Sequence, residues 1–220
     1  MYVDTRGPKA AALDSPIQDL RVRRVIARLH AERRYPADGP RSHPDYGPEH
    51  FADYGFSIFP EQGNLIYLLC RAMRARRVVE FASSIGFSTL FFAAALRDNG
   101  GGLVIGSELV PNKVAAARRN LSDAGLDDYA EIRAGDARQT LRNLGGPVDF
   151  VLIDGWPITD GPSLALQVMQ VVAPQLRVGA YVMNDNAEPD FLDYIRDPTN
   201  GFLSISLPLK GGTELAVKVG

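Results

Sequence analysis

Val78-Val79-Glu80-Phe81-Ala82-Ser83-Ser84-Ile85-Gly86-Phe87-Ser88-Thr89 is the stretch on which the reading of this chain turns. An apolar run ends in an acid, Glu80. Small residues follow at Ala82, Ser83 and Ser84, and beyond Gly86 the residues Ser88 and Thr89 open an apolar helical segment, LFFAAAL. A buried strand that turns through small residues into a helix leaves backbone N–H groups unpaired at the turn, and these suit the anionic or polar end of a nucleotide-like cofactor. Taken alone, the pattern also describes any tight strand-to-helix turn in an α/β protein.

Working outward, the pattern is regular from Glu61 onward. A helix is predicted over about 61–74, then strand RVVEFA ending near Ala82, a helix over 87–97, and strand LVIGSE ending at Glu108. Pro111 opens PNKVAAARRNLSDAG, with Gly125 as its C-cap. Strand AEIRAG, a short helix from Asp136 to about Leu144, strand VDFVLID, a helix near 162–174 and strand AYVMND complete the alternation. Two final runs, FLSISLPL and TELAVKVG, are joined by Lys210-Gly211-Gly212, which reads as a hairpin turn. The expected fold is α/β: a doubly wound, mostly parallel seven-stranded sheet with a C-terminal antiparallel hairpin. Upstream, Ser15-Pro16 reads as the start of a helix through Ile17, Leu20, Val22, Ile26 and Leu29, and residues 35–56 as a long Pro-, His- and Tyr-bearing loop or lid. Residues 1–56 are thus an N-terminal helix and arm, and 57–220 a single globular unit.

In open parallel sheets, ligands sit beyond the carboxyl ends of the strands. Here each of the five parallel strands carries an acid there: Glu80, Glu108, Asp136, Asp154 and the pair Asp185-Asn186. Several carboxylates around one crevice cost free energy unless ligand hydroxyls, amines or a cation balance them. Glu108, 22 positions after Gly86, is placed to accept hydrogen bonds from the hydroxyls of a ribose, or is a surface acid or helix cap. Asp136 could receive an adenine amino group or cap the short helix behind it. Asp154, Asp185 and Asn186 offer hard oxygen donors that suit Mg²⁺, or else a cap and turn after strand 5.

Composition bounds the rest. The chain has 220 residues, 45% hydrophobic and 23% charged, with a net charge of -2. That is one soluble domain with neither a nucleic-acid stripe nor an acidic tail. The basic group Arg21, Arg23, Arg24, Arg28, Arg33 and Arg34 reads as a solvated helix face. The single cysteine, Cys70, lies in LIYLLCRAM and reads as core in a reducing compartment. No segment approaches eighteen uninterrupted apolar residues and the first twenty lack an apolar core, so neither a membrane span nor a signal peptide is expected, and the cytoplasm is the expected location.

From Ser57 to Val219 the chain resembles the class I S-adenosylmethionine-dependent methyltransferases of the catechol and caffeoyl-CoA O-methyltransferase-like branch. Four segments carry the resemblance: FSIFPEQGNLIYLL, VVEFASSIGFST, VDFVLIDGWP with YVMNDN, and FLDYIRDPTNGFLSISLPLKGGTELAVKV. It implies an O-methyltransferase of small hydroxylated, catechol-like acceptors that uses S-adenosylmethionine and a divalent cation. By position, the backbone near Ile58 and the hydroxyl of Ser88 would hold the methionine carboxylate, and Glu80 and Gly86 would shape the loop beneath it. Glu108 would bind the ribose. Asp136 and Ala137 would lie beside the adenine, with Trp156 packing nearby. Asp154, Asp185 and Asn186 would hold the cation. The N-terminal arm would cover the acceptor, with His43, Tyr46, His50 and Tyr54 as pocket candidates, or contribute to a homodimer interface.

Two positions depart from the family pattern. Ala82 stands where the family has the first loop glycine, which is tolerable if its φ is negative. Pro157 stands where the metal-dependent members carry a general-base lysine, so that either metal activation suffices, or Asp160 or Asp154 takes the proton, or the acceptor differs, or catalysis is lost. That second departure keeps open a cofactor-binding protein without catalysis. A nicotinamide-dependent oxidoreductase is disfavoured because the loop lacks G-x-G-x-x-G spacing.

Overall fold

The computed structural model describes residues 15–34, 47–54, 57–155, 161–210 and 212–220. Its sheet has seven strands in the order β3-β2-β1-β4-β5-β7-β6. These are β1 Arg77–Phe81, β2 Leu103–Glu108, β3 Ala130–Ala134, β4 Val148–Ile153, β5 Leu176–Asn184, β6 Phe202–Leu207 and β7 Thr213–Lys218. The first five run parallel, and β7 lies antiparallel between β5 and β6. The expected architecture is the observed one. Strand order reverses between β1 and β4, which opens a crevice beyond their carboxyl ends.

Both faces of the sheet are covered, so the central strands read as continuous apolar runs rather than alternating ones. On one face α1 Leu20–Ala31, α2 Pro60–Ala72, α3 Phe87–Asp98 and α4 Pro111–Ala124 share a core with Val78, Val104, Ile132, Phe150 and Leu152. Phe92 meets Phe150 edge-on at 5.2 Å between centroids. On the other face α5 Ala137–Thr140, α6 Leu164–Val172 and α7 Pro189–Arg196 close over Val79, Ile105, Val151, Ile153 and Val182. Cys70 is fully buried, as read. Among the described residues, no helix is long and apolar enough to cross a membrane.

The differences are local. The first helix starts at Leu20, not at Ser15, because Asp19 accepts from the N–H groups of Arg21 (2.7 Å) and Val22 (3.3 Å) and is the better cap. Its basic face is not simply solvated. Arg21 donates to the carbonyls of Ser122 and Asp123, both at 2.7 Å, and Arg28 pairs with Asp123 at 2.9 Å, so two arginines complete the carbonyl-rich end of α4. The helix α7 went unread, although Pro189 at its start and Phe191 and Ile195 one turn apart mark it. The short helix after Asp136 ends at Thr140, and β5 begins four residues earlier than read, at Leu176. Of the arm, 35–46 lie outside the described residues, with His43 and Tyr46 among them. Pro48–Phe51 form one 3₁₀ turn, from which Phe51 is buried against Tyr54.

Candidate active site

The cofactor loop is wound by left-handed residues at alternate positions: Ala82 at φ +63°, Ser84 at +50° and Gly86 at +83°. The sequence reading tolerated Ala82 on the condition of a negative φ, and that condition fails. Alanine stands strained where glycine would be relaxed, at a cost of about 1–2 kcal/mol. The strain is held by the surroundings. Ser83 N donates to the Ser107 carbonyl at 3.0 Å, Gly86 N to the Ser83 carbonyl at 2.8 Å, and Asn120 binds the Ile85 carbonyl at 2.8 Å. Gly86 has a second reason to lack a side chain, since a Cβ there would lie 3.2 Å from Ala117 of α4. Gly86 caps α3 with no side-chain acceptor, which leaves that helix's first-turn N–H groups facing the crevice.

Two buried carboxylates brace the loop. Glu80, fully enclosed, accepts from the hydroxyls of Ser88 and Thr89 in the first turn of α3, and burial raises its pKa. The Ser88 proton is therefore spent on Glu80 rather than turned toward the crevice. Glu108 accepts from Ser84 N and Val110 N, each at 2.8 Å, and stands directly beside the loop. A carboxylate has about four acceptor sites, so two backbone donors leave capacity for further hydroxyls. The Ser84 hydroxyl, buried in this loop, has no partner among the described residues. Such a group marks a place where a ligand completes the hydrogen bonding. Loop, helix end, Glu108 and Ser84 fit a nucleoside cofactor with a polar tail. Ile58 is fully buried, and Phe59 N beside it is taken by Gln62 Oε1 at 2.7 Å.

Of the two readings left open for Asp136, the cap is the arrangement seen. It accepts from Arg138 N at 2.8 Å, and both its oxygens meet the Arg138 guanidinium at 2.6–3.0 Å. This arginine holds its pKa low. Ala137 is buried behind it.

On the β4–β5 side, Asp154 and Asp185 do converge, and the Asp185 charge raises the electrostatic cost of charging Asp154. Enclosure and the Asp185 charge push the Asp154 pKa upward, against the pull of Lys210. The cation held against Asp185 is a side chain. Lys210 Nζ binds Asp185 Oδ2, while Gln62 Nε2 binds Asp185 Oδ1 and Thr213. Asn186 turns its amide nitrogen to Asp154 (3.4 Å) and to the Gly155 carbonyl (3.0 Å). Of the trio expected to ligate a divalent ion, Asp185 thus accepts from Lys210 and Gln62 and Asp154 from Asn186, and no set of three or more His, Cys, Asp or Glu suited to a metal occurs among the described residues. As arranged, these side chains do not fit such an ion. Lys210 was passed over because it sits in a hairpin turn, 25 residues beyond Asp185. Trp156, Pro157 and Asp160 lie outside the described residues.

A methyltransferase-domain family model matches residues 79–187, the span from β1 to the turn after β5. The chain is 41% identical over 95 residues to a catechol O-methyltransferase of Mycobacterium tuberculosis, covering 43% of this chain and 42% of that one. It is 32% identical over 137 residues to a catechol O-methyltransferase of Niastella koreensis, covering 60% and 58%. These matches span about half the length of the curated relatives. The fold superposes on an O-methyltransferase from Bacillus cereus solved in complex with SAH, with a TM-score of 0.68 at 20% identity and 96% of both chains covered. The span 79–187 is thus similar to a methyltransferase domain, and the seven-stranded architecture is the fold of the O-methyltransferase on which the chain superposes.

Proposed function

We propose that the chain is an S-adenosylmethionine-dependent O-methyltransferase acting on a small hydroxylated, catechol-like acceptor. The observation that carries this reading is Glu108 beside the left-handed loop, at the uncapped end of α3. Glu108 would accept from the ribose hydroxyls, and Ser84 and the first-turn N–H groups of α3 would meet the methionine part. The bound cofactor supplies an electrophilic sulfonium methyl group. The chain's part is to align an acceptor oxygen with that methyl and to receive the acceptor's proton as the O–CH₃ bond forms and the S–CH₃ bond breaks. Asp154 is the described residue suited to the proton, since its raised pKa matches a base working near neutrality. No step is assigned to a divalent cation, because the expected ligands are engaged by Lys210, Gln62 and Asn186.

The alternative is a cofactor-binding protein without turnover, favoured by Pro157 in place of the family's lysine. Calorimetry with S-adenosylhomocysteine, followed by transfer of a labelled methyl to a panel of catechols and related phenols, separates the readings. Binding with transfer establishes the enzyme. Binding without transfer across the panel favours the alternative. No binding at millimolar cofactor removes both.

A further inference from the structure

Resting on that functional reading, we propose that Lys210 is the resident cation of the acceptor site and takes the place of the divalent ion expected at Asp154, Asp185 and Asn186. The assignment follows from where the ammonium stands. Lys210 Nζ binds Asp185 Oδ2 and reaches the Ser57 carbonyl at 3.3 Å. It also lies 5.8 Å from the centre of the Phe59 ring, a favourable position for a cation. Gln62, from α2, donates to the other Asp185 oxygen, so each oxygen already accepts from a protein donor. Arg33 brings a second positive charge to the same Ser57 carbonyl and stacks over the same ring at 5.0 Å. A divalent ion placed at Asp185 would meet an ammonium at contact distance and a guanidinium just beyond it. At such separations like charges repel, and the repulsion works against what one or two carboxylates return. The remaining acid of the turn, Glu188, is held by Asn184 at 2.9 Å.

The substitution has a chemical consequence. An ammonium has three N–H donors. Two are directed to Asp185 and Ser57, and the third, with no hydrogen-bond partner among the described residues, is available to an acceptor oxygen as it loses its proton. Lys210 thereby supplies positive charge at one oxygen, whereas a divalent ion would chelate two. The site is suited to acceptors that present a single hydroxyl as well as to catechols.

Mn²⁺ alone is the probe, titrated into the full chain and read by electron paramagnetic resonance, so that no turnover is required. The wild type is expected to take up no stoichiometric Mn²⁺ at millimolar concentration. Lys210→Met, which removes the ammonium held against Asp185, is expected to gain one site at least about tenfold stronger. Lys210→Arg, which keeps the charge, is expected to stay blind to Mn²⁺. A tight single Mn²⁺ site in the wild type overturns the proposal, and so does a folded Lys210→Met variant that gains none. Should Lys210→Met fail to fold, Lys210→Gln serves the same comparison. S-adenosylhomocysteine affinity of the wild type is expected to be unchanged by EDTA, and a loss of affinity in EDTA counts against Lys210. Complete absence of S-adenosylhomocysteine binding would strike the functional reading and leave the Mn²⁺ comparison to judge Lys210 by itself.

Discussion

Glu80, the last residue but one of β1, and Glu108, the final residue of β2, are balanced by neighbours. Their partners are hydroxyls and backbone N–H groups from at most 24 residues away. Asp185, beyond β5, is balanced by strangers: Gln62, 123 residues earlier, and Lys210 from the closing hairpin. The two rims carry the same chemical liability, a buried carboxylate at a strand end. The first disposes of it with fixed dipoles that a folded loop brings along, while the second needs a full positive charge delivered from another part of the sheet. A rim braced by dipoles keeps its acceptor capacity for a neutral, hydroxyl-rich ligand. A rim neutralised by an ammonium has a cation to offer.

The largest test of this contrast is Asp185→Ala. It strands the part-buried Lys210 ammonium and the Gln62 amide, and removing one member of a buried ion pair costs about 3–5 kcal/mol. Urea denaturation should show that loss, and a cost below about 1 kcal/mol would mean the pair contributes little. On the other rim, Glu108→Ala removes the acceptor for two loop N–H groups and for the proposed ribose. S-adenosylhomocysteine binding should weaken by about 3 kcal/mol, or roughly a hundredfold, in calorimetry.

A third test asks whether the hairpin owes its stability to charge. Glu214 of β7 is buried. Burial alone would raise its pKa, but Arg196, Ser206 and Ser204 outweigh that and bring it down to about 2. A carboxylate whose pKa is lowered by folding contributes stability above its unfolded value, near 4.5, and loses it as pH falls toward 2. Allowing for the half-exposed Arg196, unfolding free energy should drop by about 2 kcal/mol across that window, and Glu214→Gln should flatten the drop. The smallest effect is expected at Ala82→Gly. It relieves a left-handed alanine and adds back some unfolded-chain entropy, for a net gain of about 0.5–1 kcal/mol in thermal or urea unfolding. A loss instead would mean the Ala82 methyl packs usefully against its neighbours.

Much of the first rim was legible beforehand because its interactions are short in sequence. Small residues between an apolar run and an apolar helix specify the turn, and an acid 22 positions past Gly86 falls at the next strand end once strand and helix lengths are set. What the pattern could not tell was the sign of φ at Ala82. Alanine gives no warning that it occupies a glycine's conformation, since only the hydrogen bonds of Ser83, Gly86 and Asn120 hold it there. The role of Asp136 was undecided for a similar reason, because its partner Arg138 is a routine surface residue until its guanidinium is seen gripping both oxygens. The second rim was legible in its acids and not in its donors. Acids at the ends of β4 and β5 are visible in the string of residues. The lysine held against Asp185 is hidden in a glycine-rich turn whose register against β5 is a property of the whole sheet.

The amino-acid order alone determined the alternation of strands and helices, the parallel sheet with its antiparallel close, and the acids lining one edge of it. Those follow from apolar periodicity and turn chemistry, which act over a few residues. Tertiary structure decided which partner within the chain each acid received. That choice depends on Gln62 and Lys210 reaching Asp185 from either end of the domain. Electrostatic balance in a low-dielectric crevice is settled by distances in space, and distances in space are what a linear pattern does not encode.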